Sequence, residues 1–468
     1  MHAGEHGAVF GHTRTTGRLE FLKKRVLTAS TVRSLGVRLR PYLGSERVVR
    51  KAMTSAPIRT SLQAARRLAV TKQHLAGKRP GRATAERIVE SVRDLPYVQW
   101  DPVSVVAPSH ILSLWARVGS FRLSDFDRLV WTERRLLQHW IPFAGVVATE
   151  DYPLYASLMR RYPESLSDSW GAQRARARAF LAKHGDLRRK VLAELRGGPL
   201  KLNQFEDHAR TKRIAGDWAP SSTVSEMLWH LLMSGQAMVV GHDGNQNLWG
   251  LPDAFLPTWV SREILSQEEA ELEAAQRALR GLGVATAPEL HYYFIRGCYR
   301  DIRSTLETLV ADSRIHRVVI EGLPGRDERF VHSDDVALLN DLARDKFFPR
   351  VALLPPFDNM ICHQARGKRL FNFDYVREQF LPKAKRRFGM WVLPILRGEQ
   401  FIGRMDAHLD KEKRRFQVNA LFAEPDAPTA KAIASDIREE LDRLAAFLGA
   451  DSVAFTSKVP SAWKGGLR

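Results

Sequence analysis

The chain has 468 residues, 44% apolar and 26% charged, a profile that suits roughly two to four hydrophobic cores and excludes a disordered or fibrous protein. No stretch approaches the roughly 18 to 20 consecutive apolar residues that cross a bilayer, and early runs such as Val26-Leu27 are too short for a signal-peptide core. Lys and Arg outnumber Asp and Glu by 72 to 52, a net charge of +20 with a pI near 10.2, so the expected partner is a polyanion and the expected place a cytoplasm, at the nucleoid. Cys298 and Cys362 stand apart, without a CxxC or a histidine ladder, which excludes zinc modules and iron-sulfur clusters built on them.

Residues 1–59 carry 12 Lys and Arg against 3 Asp and Glu, leaving +11 on the other 409 residues. This segment is open to three readings: an overlong start or disordered arm, a DNA-contacting arm, or a targeting sequence. Met53 stands just ahead of the first regular periodicity and is a candidate start. From about residue 60 the pattern is helical. Ala85, Ile88, Val89, Val92 and Leu95 form one apolar face behind the cap Thr84, and Ser124 is expected to cap a later short helix.

The next two regions share one plan. In 187–252, a helix Leu187–Arg196 stops at Gly197-Gly198, Asn203 with Glu206 resembles the start of a second, and Thr223-x-x-Glu226 caps a third. A hairpin follows, turning at Asp243-Gly244. The plan returns from about 266, with Thr286-x-x-Glu289 as a cap, a third helix opened by Asp301, and a hairpin over 316–332 turning at GLPGRD. The third helix start lies 20 residues before the turn in one copy (223 to 243) and 21 in the other (301 to 322). Three helices and a hairpin predict a winged helix, a fold that serves DNA readers and protein scaffolds alike. Beyond 340, RVALLPPF, GMWVLPILRGEQFIGRMDAHLD and RFQVNALFAEP alternate as strands, and the chain closes with an amphipathic helix, Ala430 through Leu448, expected to pack on that sheet.

Walker loops, GxGxxG after a strand, HExxH and GxSxG are all missing, so no cofactor and no metal are expected. One segment stands out, YVQWDPVSVVAPSH at 97–110. In an extended turn, Gln99 and Asp101 project to one side while Trp100 points into the core, and Pro102 disfavours helix at Asp101. An amide and a carboxylate at one point can hold and polarise a water molecule, as hydrolysis at a positively charged sugar carbon requires. The same residues also fit a plain capping turn. A second cluster, HQARGKRLFNFDY, interleaves His363, Arg366, Lys368 and Arg369 with Phe371, Phe373 and Tyr375, and Lys385, Arg386 and Arg387 follow. Cations beside aromatics suit phosphates and exposed bases; a solvated charged loop is the alternative.

On YVQWDPVSVVAPSHILSLWARVG, WTERRLLQHW, the two repeats and LLPPFDNMICHQARGKRLFNFDY with PKAKRRFGMWVLPILRGEQFIGRMD, the chain resembles the bacterial winged-helix DNA glycosylases of the AlkZ and YcaQ type, which unhook DNA interstrand crosslinks. The resemblance spans about 60–460. It implies an α+β protein with three tandem winged helices (60–180, 181–262, 263–340) and a C-terminal β-barrel-like domain (341–468), forming a C-shaped clamp on DNA behind a basic extension (1–59). It implies the Gln-x-Asp branch, with Gln99 and Asp101 catalytic, and a monomer acting on double-stranded DNA with alkylated or crosslinked purines. The implied chemistry is hydrolysis of the N-glycosidic bond at an N7-alkylated, cationic purine, which leaves without a strong general acid. The basic cluster is expected to contact DNA. The main rival is a winged-helix DNA binder or transcription regulator without catalysis; a third reading is a protein-interaction scaffold.

Overall fold

The computed structural model describes residues 56–467, except 80, 102, 140–143, 207–221, 244, 245, 324 and 326. Most of the N-terminal extension, with the candidate start at Met53, lies outside the described residues, as does Pro102. The end of the extension does not. Ile58–Ser61 (β1) is a strand, paired in parallel with Val318–Glu321 far along the chain, so Ile58 and Arg59 belong to the folded body. Ser61 then caps α1 (Leu62–Lys72), accepting the Ala64 N–H at 3.1 Å.

Three units follow; in the first and third the elements run helix, short strand, helix, helix, hairpin, and the described residues of the second follow the same order with one α-helix between strand and hairpin. The first comprises α2 (Ala85–Asp94), β2 (Val98–Gln99), α3 (Ser109–Val118), α4 (Leu123–Asp127) running into a π-helical turn, and the hairpin β3 (Leu136–His139) and β4 (Gly145–Ala148). Thr84 caps α2 as its sequence predicts; Ser124 lies inside α4, whose cap position is Arg122. Two helices, α5 (Tyr152–Arg160) and α6 (Gly171–Lys183), lead to the second unit. This has α7 (Gly185–Arg196), β5 (Leu200–Lys201), α8 (Thr223–Met233) and the hairpin β6 (Met238–Asp243) and β7 (Gln246–Gly250). Its expected second helix falls mostly outside the described residues, Leu202–Gln204 forming a 3-10 turn. The cap of α8 is Ser222, one residue before the Thr223 that the sequence suggests, paired reciprocally with Ser225.

After the short α9 (Pro252–Phe255), the third unit has α10 (Gln267–Leu282), β8 (Val284–Thr286), α11 (Ala287–Tyr293), α12 (Ile302–Ala311) and the hairpin β9 (Ile315–Glu321) and β10 (Arg329–His332). Thr286 and Glu289 form the predicted capping box. In all three units the short strand pairs antiparallel with the second strand of the hairpin. A shared order with a shared pairing is stronger evidence of one fold than spacing alone.

The chain ends in a curled five-stranded half-barrel. A helix α13 (Val336–Ala343), which crosses the boundary expected at 340, leads to β11 (Val351–Leu353) and α14 (Gln364–Phe371). Next come β12 (Val392–Arg397), β13 (Gln400–Asp410), β14 (Arg415–Ala423), α15 (Lys431–Phe447) and β15 (Ser452–Phe455). The strands lie in order β11-β12-β13-β14-β15, with register shifts at Ile395/Leu396 and Asp406/Ala407 where the sheet bends. The apolar stripe Ile433, Ile437, Leu441 and Leu444 of α15 is fully buried or nearly so, about 1.5–3 kcal/mol for each such side chain.

Two hydrophobic cores result, and neither follows the unit boundaries. One joins α1, the first unit, one face of the third unit's sheet (Val284, Val318, Ile320 and Val331) and the half-barrel; the other joins the second unit and the rest of the third. The small sheet β2-β4-β3 lies between them. Val98, Val146 and Leu136 enter the first core, and Tyr97, Val147 and Leu137 enter the second, the alternation a strand dictates. The edge where Gln99 and Asp101 stand is thus fixed from both sides.

Candidate active site at the end of strand β2

Gln99 is the last residue of β2, opposite Gly145 of β4, and the next residue, Trp100, adds one more bond, its N–H to the Ala144 carbonyl at 3.0 Å. By strand alternation Trp100 turns toward the first core. Its ring is half-buried and stacked on His110, with centroids 4.0 Å apart and planes 10° from parallel. Gln99, on the other side, keeps its amide half-buried and without a hydrogen-bond partner among the described residues.

Asp101 follows, buried at 7% exposure. Its carboxylate accepts the Val103 N–H at 2.8 Å and its carbonyl accepts the Ser109 N–H at 3.2 Å, which closes the loop leading to α3. Burial raises its pKa to about 6, and the Val103 N–H offsets only part of that. It is therefore largely ionised at neutral pH but poorly solvated. The neighbouring imidazole of His110 is the reverse case, pushed down to about 3 by burial, and so is neutral over the physiological range. His139, at the end of β3, is held down to about 3 in the same way. Neither ring offers an imidazolium acid to this edge.

A polar network anchors the segment from beneath. Asn359, in the loop after β11, donates to the Tyr97 carbonyl at 2.9 Å and to the Tyr293 hydroxyl at 3.1 Å, and that hydroxyl donates to the Leu95 carbonyl at 2.7 Å. Asp358 beside it accepts two bonds from Arg117 of α3, at 2.6 and 2.8 Å, and one from Ser113 at 3.0 Å. Both charges are fully buried, a pair that tolerates removal of neither partner. The half-barrel also reaches the loop after Asp101 directly, since Leu409 at the end of β13 donates to the Val105 carbonyl at 3.0 Å. That bond puts the tip of the β13-β14 hairpin next to the loop, with Lys411 and Lys413 exposed on it. The sequence places both strands of this hairpin but not its tip beside the loop, and it misses Asn359; the run KEKR between the strands is the available signal for the tip.

The basic residues singled out in the sequence divide into two groups. Arg366 is a correction: it is buried, its terminal nitrogens bonded to the carbonyls of Val284 (2.7 Å) and Leu282 (2.8 Å) and to Glu289 (2.9 Å). Arg369 is also engaged, with Glu289 at 2.7 Å and Asp327 at 3.1 Å. Glu289, the capping carboxylate of α11, thus ties α14 of the half-barrel to the third unit. Lys368 is exposed and paired with Asp374 at 3.3 Å, and His363 packs beside Tyr292, centroids 4.9 Å apart. Phe371, Phe373 and Tyr375 are core residues rather than stacking platforms for bases. In the following segment, Arg386 bonds the carbonyls of Glu378 and Leu381 at 3.2 and 3.0 Å, while Lys385 and Arg387 remain exposed.

A family model described as DNA glycosylase AlkZ-like matches residues 92–447. The chain belongs to the AlkZ-like DNA glycosylase family. The glycosylase is also similar in fold to the Streptomyces sahachiroi DNA glycosylase AlkZ, with a TM-score of 0.60 and 17% sequence identity over 85% of this chain and 100% of that one. Its partner is DNA, and it is an enzyme of DNA repair. Among the described residues no helix is long and apolar enough to cross a membrane, and no three His, Cys, Asp or Glu side chains converge as a metal site.

Proposed function

We propose that this glycosylase is monofunctional and hydrolyses the N-glycosidic bond of bulky or crosslinked N7-alkylated purines in duplex DNA, with Gln99 and Asp101 as the catalytic pair of the Gln-x-Asp branch. The three like-ordered units are read as tandem winged helices that, as a monomer with the half-barrel, form a C-shaped clamp around DNA. The observation that carries the chemistry is Asp101, a buried carboxylate with one N–H bond and a pKa pushed up to about 6, beside an amide without a partner among the described residues.

Alkylation at N7 makes the purine cationic. As the C1′–N9 bond breaks, its electron pair neutralises the ring and positive charge moves to the sugar. Asp101 faces that charge with little water to screen it, where a carboxylate acts more strongly than in bulk solvent. Gln99 holds the attacking water, whose oxygen bonds C1′ while Asp101 takes its proton. The leaving base needs no proton, which fits an edge whose two imidazoles are neutral.

The test is single-turnover release of 7-alkylguanine from duplex DNA, with and without EDTA. Wild type should release the base and leave an abasic site under both conditions. Gln99→Ala and Asp101→Asn should bind damaged DNA nearly as wild type does and cleave about a hundredfold more slowly, equivalent to about 2.7 kcal/mol. Unchanged release by both variants would return the tripeptide to a capping turn.

A further inference from the structure

The backbone at Gln99, Trp100 and Asp101 is fixed on one side by the small sheet and on the other by α3. Every residue of α3, Ser109 through Val118, is buried, and Ser113 and Arg117 of this helix hold the buried Asp358, so it is a rigid surface for the tripeptide to meet. Its first turn makes that contact twice. The Ser109 N–H donates to the Asp101 carbonyl at 3.2 Å. The His110 ring lies flat on the Trp100 indole, centroids 4.0 Å apart and planes 10° from parallel, and also meets the Asp101 carbonyl. Phe126 of α4 backs both rings, its centroid 6.4 Å from that of Trp100 and 5.7 Å from that of His110. The one bond of the Asp101 carboxylate is by contrast local: it accepts the N–H of Val103, two residues on, in a stretch where Val103 is half-buried and Ser104 exposed. That bond ties the side chain to its own loop, whereas the stack ties it to the body of the protein.

The residue type at 110 is informative. His110 is buried, and its Nδ1 makes no hydrogen bond among the described residues. A bare ring nitrogen in a core costs stability that the flat ring of a phenylalanine would not, so packing alone would favour phenylalanine here. What phenylalanine lacks is a second nitrogen to set against the Asp101 carbonyl. No charged side chain among the described residues acts on Asp101, whose carboxylate responds to burial and to the Val103 N–H alone. How far it stands from water therefore depends on how the backbone around it is held.

We propose that His110 is a positioning residue for base release: stacked on Trp100 and set against the Asp101 carbonyl, it holds the tripeptide to α3 so that the Asp101 carboxylate stays withdrawn from water on the side of the Gln99 amide. It acts through the two residues it holds and not on the substrate. The inference rests on Gln99 and Asp101 being the catalytic pair, so one of its readouts is independent of base release.

The experiment compares His110→Phe, which keeps a stacked ring without a nitrogen at the carbonyl, with His110→Leu, which keeps bulk but neither contact, both in the full chain. Single-turnover base release at saturating enzyme and about pH 7, at a temperature where each variant is folded, should fall roughly tenfold or more in His110→Leu and less in His110→Phe, because displaced groups cost rate steeply. The acid limb should move as well. With Asp101 opened to water, its midpoint should drop in His110→Leu from about 6 toward the ordinary aspartate value of about 4, a shift that lost stability alone does not produce. The readout independent of base release is denaturant resistance at about pH 8, where Asp101→Asn should gain over wild type by removing a buried charge; in the His110→Leu background that gain should shrink. Trp100→Leu, at a half-buried position, removes the stack from the other side and should give the same three effects where His110→Leu does not fold. A His110→Leu variant that melts early but keeps the wild-type rate, midpoint and gain from Asp101→Asn makes the ring a packing residue and overturns the proposal, as does a His110→Phe variant as impaired as His110→Leu. Unchanged release in Asp101→Asn would instead sink the catalytic pair, and the denaturant comparison would still decide whether His110 holds the carboxylate.

Discussion

The side-chain amide of Asn359 donates to the backbone carbonyl of Tyr97 at 2.9 Å, so a loop of the half-barrel holds the strand that presents Gln99 two residues later. The donor and acceptor are both buried, and removing the donor leaves a carbonyl unpaired at a cost of about 1–3 kcal/mol. Asn359→Ala should lower the single-turnover rate by roughly tenfold or more, because a small displacement of positioned groups costs rate steeply. Tyr293→Phe is the comparison. It removes the bond to the Leu95 carbonyl and a partner of Asn359 but leaves the bond to Tyr97 intact, so it should lower the melting temperature with much less effect on rate. Equal loss of rate in both variants would make Asn359 a merely structural residue.

Asp101 should trade stability for activity. Its pKa is raised from 3.8 to about 6 by burial, so the ionised group destabilises the folded state by about 3 kcal/mol above pH 6. Below the unfolded value the carboxyl is protonated in both states and that cost is absent. Asp101→Asn keeps an oxygen for the Val103 N–H and removes the charge. Unfolding of the variant should therefore require more denaturant than wild type at about pH 8 and about the same at about pH 4, while base release falls. A variant less stable than wild type at the higher pH would show that the carboxylate is a structural ion.

The extended backbone at the tripeptide and the order of the repeated units are legible in the sequence because their signals are local. Thr84, Thr286 and Glu289 cap helices through bonds to residues three positions away, and the alternation at Gln99, Trp100 and Asp101 follows from extended backbone alone. The residues that sequence reasoning misplaces are governed by long-range partners. Arg366 looks like a phosphate ligand in HQARGKR, and only the approach of α11 turns it into a buried tie to Glu289 and the carbonyls of Leu282 and Val284. Asn359 is equally opaque, since its partners Tyr97 and Tyr293 stand 262 and 66 residues away along the chain. Ile58–Ser61 looks like the end of a tail for the same reason: its pairing strand is β9.

Arg366→Ala should consequently report on folding. Glu289 would keep Arg369 but lose its buried partner, and the carbonyls of Leu282 and Val284 would lose theirs; breaking such a pair costs about 3–5 kcal/mol. The variant should show a clear drop in melting temperature. At temperatures where it is folded, its affinity for duplex DNA and the salt slope should match those of wild type. A shallower slope without loss of stability would mean that this guanidinium reaches phosphate after all.

The pH dependence of base release should have one limb. Asp101 must be ionised to face the cationic sugar and to take a proton from water, so the single-turnover rate should be half-maximal near pH 6 and fall about tenfold for each unit below it. On the alkaline side no acid at the edge has to stay protonated. His110 and His139 are already neutral, both held down to about 3, and the cationic purine leaves without a proton. The rate should then stay flat from about pH 7 to 9 when the substrate carries a fixed positive charge, as an N7-alkylated purine with no ionisable N1–H does. Asp101→Glu should preserve the shape of this profile at a lower rate, and Asp101→Asn should abolish the acid limb. A bell-shaped profile for wild type, with a second limb between about pH 7 and 9, would require a general acid, and the mechanism drawn from Gln99 and Asp101 alone would be wrong.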